Sequence, residues 1–530
     1  MTERPLGAQI SHMLKDRGVD VIFGIPGVHN QEMYRGIEEA GLTHVLARHE
    51  QGAGFMADGY ARATGRPGVC YVITGPGLTN ILTPMGQAAS DSVPMLVISS
   101  CLDETAARKG QLHQMSDQRG AGATVAAWSE EARTADAAYR LIDRALEEFG
   151  PGQRRAPRHM QVPIATLTAA APTFPPAGET HPTLTCPTDA VEQVARLLER
   201  ANRPLFVFGG GVAMERDAPV SRYVPEKFAA ASFVTYAGRG TVDPEDHLFF
   251  GSYLARPESA GIFASADLVI AVGTELAEVD LWRKHLGFDC ELVRVDVDPC
   301  VLTDGQLADI RIRADADAFL RALAAHPSSK EVSGWTAEEV AGFRRKARAE
   351  VEAEFPGVAR VADALRACLP ADTMVFSDMT QFAYASKEIW DMSRPGHWHH
   401  PYGFGTLGYA LPAAIGGAVA RRAQPTLAIA GDYGFQYTCN ELGTAVELGL
   451  SLPIFLWDNG KLGAIEASMT SAQIAPNAVI AQNPDFGLLA RAYGAGYAEP
   501  ATLGQMQQAV SDAFGAPQPT LIRVTPKISD

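Results

Sequence analysis

Short, unbroken apolar runs separated by alanine-rich stretches recur along the whole chain, and this alternation restricts its fold more than any other feature. They include Val21-Ile22-Phe23, Cys70-Tyr71-Val72-Ile73, Met95-Leu96-Val97-Ile98, Leu205-Phe206-Val207-Phe208, Leu268-Val269-Ile270-Ala271-Val272, Leu427-Ala428-Ile429-Ala430 and Ile454-Phe455-Leu456-Trp457. A strand that is apolar at every position is covered on both faces, which is the condition of a parallel sheet sandwiched between helices. The expected class is therefore α/β, with doubly wound parallel sheets. At 530 residues the chain exceeds what one core can fill. Two segments break the alternation: "TAAAPTFPPAGETHPTLTCP" (168–187), rich in Pro, Thr and Ala, and the charged "AHPSSKEVSGWTAEEVAGFRRKARAEVEAEF" (325–355), which reads largely as a solvated helix. They divide the chain into three expected domains, 1–170, 188–325 and 355–530. No short-period repeat or low-complexity tract appears.

Composition narrows the functional classes. With 46% hydrophobic and 20% charged residues the chain reads as compact and globular. No apolar run approaches the roughly 18 residues of a membrane span. A formal charge of −16 argues against nucleic acid or an anionic membrane as partner, and leaves any anionic ligand to be held by local donors. The opening MTERPLGAQI has no basic segment followed by an apolar one, so no secretory signal is expected. The seven cysteines, at 70, 101, 186, 290, 300, 368 and 439, are odd in number and form no CxxC, which fits reduced thiols in a cytoplasmic protein.

The outer domains share a plan in which a strand runs into a Gly-rich turn and then a helix: "VITGPGLTN" (72–80) in one and "AIAGDYGFQYT" (428–438) in the other. In open parallel sheets, ligands bind beyond the carboxyl ends of the strands, where these turns lie. The second turn belongs to the longer segment "IAGDYGFQYTCNELGTAVELGLSLPIFLWDNGKLG" (429–463). Its first strand ends at Gly431 and Asp432, and the helix that follows has free backbone N–H groups able to hold a phosphate. Its second strand ends in Asp458-Asn459. An aspartate and an asparagine at neighbouring strand ends form an oxygen-only site suited to Mg²⁺ beside a diphosphate, or to Ca²⁺ if the geometry is loose. The alternative, for either turn alone, is an ordinary loop of a Rossmann-like domain. A third stretch, "RHEQGAGFMADGYARATGRPG" (48–68), puts Glu50 at the head of a run of glycines and alanines, which lets that carboxyl meet something that packs very close.

These stretches together resemble the thiamine-diphosphate enzymes of the acetolactate synthase and 2-oxo acid decarboxylase superfamily. The Asp432 to Asn459 segment is similar to their diphosphate-metal motif, G-D-G…N-N, and "RHEQGAGFMADGYARATGRPGVCYVITGPGLTN" (48–80) is similar to the corresponding segment of acetolactate synthases. "FGIPGVHNQEMY" (23–34), "DSVPMLVISS" (91–100), "ADLVIAVGTELAEVD" (266–280) and "GFGTLGYALPAAIGGAVA" (403–420) extend the likeness over nearly the whole chain. "KGQLHQMSDQ" (109–118), "GDYGFQYT" and "NGKLGAIEASM" are most similar to the 5-guanidino-2-oxopentanoate decarboxylase-like branch. The resemblance implies a pyrimidine-binding, a central and a diphosphate-binding domain. It also implies decarboxylation of a 2-oxo acid through ylide and enamine intermediates, giving an aldehyde or a carboligation product. Thiamine diphosphate and Mg²⁺ are the implied cofactors, and a homodimer or homotetramer with sites between subunits is the implied assembly.

Residue roles follow from the same resemblance. Glu50 would hydrogen-bond N1′ of the aminopyrimidine and favour the imino form that activates the thiazolium carbon. Gly75, Asn80, Thr380, Gln381, Gly405, Leu407, Tyr433, Gly434, Leu462 and Gly463 would lie against the cofactor, with Leu407 holding it bent. Asp432, the Asn459 side chain and the Lys461 carbonyl would bind the metal. Gln114 would act in catalysis. His113, standing where the synthases usually have an aromatic residue, and His29 could each protonate or orient an intermediate or serve as turn residues, since imidazole is poised near neutral pH. Val28 occupies a position that carries Asp or Ser in some decarboxylases, and with His29 and Glu466 forms the candidate substrate set. Glu466 could meet a guanidinium tail, or be an exposed helix carboxylate.

Three departures from the family pattern stand out. Tyr433 replaces the second motif glycine, although Gly434 follows and can supply the close backbone approach. Asp458 replaces the first asparagine, adding negative charge. The central "VFGGGV" (207–212) and "GTELAEVDLW" (273–282) lack the arginine-containing segment associated with flavin, so FAD is doubtful. Rival readings are an acetolactate synthase without FAD, a cofactor-binding protein without turnover, and an NAD-dependent dehydrogenase. The last would need an acidic residue after the strand that follows Gly209-Gly210-Gly211, and none is convincing.

Overall fold

The computed structural model describes residues 4–102, 109–178, 184–214, 219–422, 424–480 and 482–530. Each apolar run forms a buried strand, with only the half-buried Ile73 falling past a strand end, and each sheet of more than two strands is parallel throughout. The amino-terminal sheet runs Thr43–Leu46, Val21–Gly24, Gly68–Val72, Met95–Cys101, Arg158–Pro163, Trp128–Glu131 from edge to edge. The carboxyl-terminal sheet runs Trp398–His399, Met374–Ser377, Thr426–Gly431, Pro453–Trp457, Thr520–Val524, Gly496–Ala498. Numbered along the chain, both have the order 2-1-3-4-6-5. The central sheet, Ala231–Val234, Pro204–Phe208, Leu268–Val272, Glu291–Asp296, Ile310–Arg313, has the order 2-1-3-4-5. In all three the strand order reverses between the first and third strands, which is where such sheets open a crevice beyond the strand ends. Helices cover both faces, as the expected α/β class requires.

The outer domains of one chain pack through a shared core. Helix Glu50–Thr64 lies against helix Ala410–Ala420 at a distance only glycine allows: a Cβ on Gly59 would stand 1.9 Å from the Ala413 carbonyl oxygen, and one on Gly416 would stand 1.9 Å from that of Met56. A buried polar chain ties the same interface, with Tyr409 Oη donating to Asp58 (2.7 Å) and Arg62 bridging Asp58 (2.6 Å) and Asp91 (2.7 Å).

The segment expected to be a solvated helix departs from that reading. Helix Ala337–Glu354 buries Val340, Phe343, Ala347 and Val351, an apolar stripe at spacings of three and four, and Trp335 just before it is 3% exposed. The many charges fill the other faces and hide the stripe. In the other break, Ala170–Ala171 pairs with Arg4–Pro5, and residues 179–183 lie outside the described residues. All seven cysteines are free. Among the described residues no helix is long and apolar enough to cross a membrane.

Candidate active site

The carboxyl-terminal half of the site forms where the strand order reverses. Strand Met374–Ser377 runs into Asp378, Thr380 and helix Gln381–Ile389, and strand Thr426–Gly431 runs straight into the helix beginning at Asp432. The two turns touch, since a Cβ on Gly431 would lie 2.8 Å from Thr380 Oγ1. Gln381 Oε1 accepts from the Asn459 amide and from Trp457 Nε1, each at 3.3 Å, so Gln381 and Asn459 stand together. The Lys461 N–H donates to Asn459 Oδ1 (3.2 Å). Leu462 precedes helix Gly463–Ser471, and its N–H reaches the Val479 carbonyl.

Buried Asp378, which carries no signal in the sequence, anchors the turns of the remaining residues expected on this side. It accepts from the N–H groups of Met379 (2.8 Å) and Gly408 (2.9 Å), which hangs the Gly405–Leu407 turn beside Thr380. Burial pushes its carboxyl up to about 6, against the pull of those N–H groups. Gly434 meets it closely, because a Cβ there would stand 2.5 Å from Asp378 Oδ2. Tyr433 is thereby accommodated: the close approach falls to the next residue.

Two further residues escape the sequence pattern. Asn483 Nδ2 donates to both Asp432 Oδ2 (2.7 Å) and Asp458 Oδ1 (2.9 Å), and Arg523 Nε donates to Asp458 Oδ2 (2.7 Å). The extra negative charge of Asp458 is therefore matched by Arg523. Burial raises the Asp432 carboxyl above its ordinary range, the Asn483 bond opposes this, and the Asp458 charge adds to it. Asn483 follows no recognisable strand or motif, and Arg523 alternates with apolar residues in the distant strand Thr520–Val524, so neither stands out in the sequence.

The amino-terminal half lies at the equivalent reversal. Glu50 opens helix Glu50–Thr64, is 9% exposed, and accepts a 2.9 Å bond from Asn80 Nδ2 on helix Pro76–Ser90. His29 and His113 meet edge to face, ring centroids 5.0 Å apart, and the Nδ1 atom of each is buried without a partner. Burial, and then the nearby His113, lower the His29 pKa and so disfavour its charged form. Gly75, at φ 69°, brings its turn against the same place: a Cβ there would lie 2.3 Å from the His113 carbonyl oxygen. Behind that turn the Gly75 N–H donates to Gln118 Oε1 (2.8 Å), which connects through Ser99 to buried His159, held between Ser99 Oγ (2.8 Å) and Ser129 Oγ (2.7 Å). Gln114 Oε1 closes the preceding turn on the Gln111 N–H (3.3 Å). Val28 is 63% exposed at the rim.

These placements bring Glu50 to Asn80, His29 to His113 and Gly75, and Thr380 and Gln381 to Gly431 and Asn459. Within one chain the segments that carry the two halves are tied by hydrogen bonds: Glu441 accepts from the Arg48 and His49 N–H groups just ahead of Glu50, and Thr406 Oγ1 donates to Gln87 Oε1 on the helix of Asn80 (3.0 Å). Glu466 is engaged by Lys461 Nζ at 2.5 Å, and its helix buries no residue.

The donor chemistry fits the expected cofactor. No group of three or more His, Cys, Asp or Glu side chains able to hold a metal occurs among the described residues. A cation here would instead rest on one carboxylate, one amide oxygen and one backbone carbonyl, a hard-oxygen set appropriate to Mg²⁺ with a diphosphate completing it.

Known proteins resemble the chain over nearly its whole length. Models of thiamine pyrophosphate enzymes match the chain in three places: the N-terminal TPP binding domain over residues 4–121, the central domain over 191–323 and the C-terminal TPP binding domain over 378–524. The chain belongs to the thiamine pyrophosphate enzyme family. The probable 2-ketoarginine decarboxylase AruI of Pseudomonas aeruginosa is 41% identical to it over 98% of this chain and 93% of the relative. The acetolactate synthase isozyme 2 large subunit of Escherichia coli is 28% identical over 98% and 95%, and an acetolactate synthase of Mycobacterium bovis is 29% identical over 92% and 82%. The chain is a thiamine-diphosphate-dependent lyase or carboligase whose relatives support decarboxylation of a 2-oxo acid, with acetolactate formation the poorer fit.

Proposed function

We propose that the protein decarboxylates a 2-oxo acid carrying a guanidino tail, 5-guanidino-2-oxopentanoate, using thiamine diphosphate and Mg²⁺ in the cytoplasm. The observation that carries the chemistry is the matched pair of half-sites at the reversals of two sheets with the same strand order. One presents Glu50 held by Asn80; the other presents Asp432, Asn459, Thr380 and Gln381. The substrate follows from the full-length likeness to the probable 2-ketoarginine decarboxylase.

When bound, thiamine diphosphate supplies the electron sink for the carbanion left by CO₂ loss. The chain's own groups do the rest. Asp432, Asn459 and the Lys461 carbonyl would hold the metal, and the N–H groups at the start of the Asp432 helix would bind the diphosphate. Asn80 occupies Glu50 Oε2, which leaves Oε1 to share a proton with a pyrimidine nitrogen. His29, beside His113, is placed to offer a ring N–H as a hydrogen-bond donor that orients a substrate oxygen. Small, buried neighbours along helix Glu50–Thr64 exclude water from the Glu50 carboxyl. Glu466 is the acceptor for the guanidinium: Lys461 takes one of its oxygens, and the cationic tail meets the other or displaces the lysine.

A second copy completes the site. The reading is supported by the large apolar side chains left bare around each half: Val28 (63%) and Leu112 (62%) on one, Ile465 (52%) and Ile480 (72%) on the other. Pairing subunits so that the Glu50 half faces the partner's Asp432 half covers both sets.

Product analysis tests the proposal. Incubation with 5-guanidino-2-oxopentanoate should yield the guanidino aldehyde, with kcat/KM at least tenfold above that for pyruvate, and Glu466→Gln should raise KM for the guanidino acid while sparing pyruvate. Acetolactate from pyruvate at equal or better efficiency would replace this reading with the carboligase.

A further inference from the structure

Glu441 is buried completely, yet it belongs to neither half-site. It sits in the helical run that begins at Asp432 and continues through Cys439–Glu441 into Leu442–Glu447. Its carboxylate reaches out of the carboxyl-terminal domain and caps the backbone just ahead of Glu50. The Arg48 N–H donates to both oxygens (3.1 Å each) and the His49 N–H to Oε1 (3.0 Å). Thr444 Oγ1 donates to Oε2 (2.9 Å) and also contacts the Leu46 carbonyl (3.1 Å), while Asn440 Nδ2 donates to Oε1 (3.2 Å). The first turn of the Glu50 helix makes room for it, since a Cβ on Gly52 would stand 2.1 Å from Glu441 Oε1.

Burying a carboxylate is costly unless donors surround it, and this one is surrounded mainly by the chain that delivers Glu50. A tie needed only for domain packing would not have to end on the two N–H groups preceding the proton-sharing residue. The shared core between helices Glu50–Thr64 and Ala410–Ala420 already supplies packing. We infer that Glu441 is a positioning residue: it fixes where the Glu50 carboxyl stands and makes that placement depend on the helix that starts with Asp432. The inference rests on the functional reading above only for the role of Glu50.

Glu441→Gln keeps the shape and replaces one acceptor oxygen with an N–H donor that opposes the Arg48 and His49 N–H groups. Gly52→Ala pushes on the same carboxylate and leaves it charged. Glu447→Gln alters a neighbouring carboxylate that pairs with the Arg48 side chain at the surface, and serves as control. Amide hydrogen exchange on the protein without cofactor should speed up at least about tenfold at Arg48 and His49 in the first two variants and not in the third. With cofactor present, kcat should fall about 10- to 100-fold, the loss expected of a displaced catalytic group, while the apparent Kd for thiamine diphosphate shifts less than about threefold. Unchanged exchange at Arg48 and His49, or a Kd that weakens as much as kcat falls, would overturn the inference. The exchange measurement needs no turnover, so a wild type that released CO₂ from none of the acids would strike the functional reading and leave this one to its own result.

Discussion

Replacing Glu50 with Gln separates its chemistry from its structural role. Gln has the same length, and its carbonyl oxygen can still accept the 2.9 Å bond from Asn80. The side chain also heads helix Glu50–Thr64, where a negative charge in the first turn contributes about 0.3–1 kcal/mol. Stability should therefore drop by no more than about 1 kcal/mol. What Gln cannot do is share a proton with the cofactor ring. Positioned proton transfer contributes about 10²- to 10⁴-fold, or roughly 3 to 5.5 kcal/mol at 1.36 kcal/mol per decade. Steady-state CO₂ release at saturating thiamine diphosphate and Mg²⁺ should show that loss in kcat, with the thermal transition nearly unmoved and cofactor binding, followed by intrinsic fluorescence, within a few-fold of wild type. Activity within tenfold of wild type would remove Glu50 from the proton path. A large loss of stability would mean that the carboxyl is a structural anchor instead.

Other consequences follow from the geometry. Asn483→Ala leaves Asp432 and Asp458 without their shared donor, so the Mg²⁺ concentration for half-saturation should rise about 10- to 100-fold; an unchanged Mg²⁺ titration would show that Asn483 does not orient Asp432. Burial lowers the His159 pKa to about 3, below its unfolded value, so the unfolded chain binds the proton first as pH falls. This group therefore contributes stability above the unfolded value, near 6.5, and loses it toward pH 3: about 2 kcal/mol between pH 6.5 and 5, checked as a flatter acid limb of denaturation in His159→Gln. Gly416→Ala must push apart a pair of helices from a 1.9 Å contact and should cost about 1–3 kcal/mol in urea denaturation; no loss would deny the close approach.

The interior strands were legible because they are covered on both faces and apolar throughout. Edge strands such as Thr43–Leu46, Trp128–Glu131 and Ile310–Arg313 were not, since one side of each is partly bare and their sequences carry His, Glu and Arg. The turns bearing Asp432, Asn459 and Glu50 announce themselves through glycine and strand-end position. Asn483, Arg523, Asp378 and Glu441 do not, because their roles arise from contacts across dozens to hundreds of residues that no local pattern encodes. Helix Ala337–Glu354 defies its composition for a related reason: four apolar residues suffice to dock it, and the charges around them dominate the count.

The most direct test of the account is CO₂ release by protein stripped of cofactor and metal, then resupplied with thiamine diphosphate and Mg²⁺ separately and together. The panel is pyruvate, 2-oxobutyrate, a branched 2-oxo acid, benzoylformate and 5-guanidino-2-oxopentanoate. The account predicts release only when both are restored, fastest from the guanidino acid. Release without thiamine diphosphate, or none from any acid with both present, would contradict it.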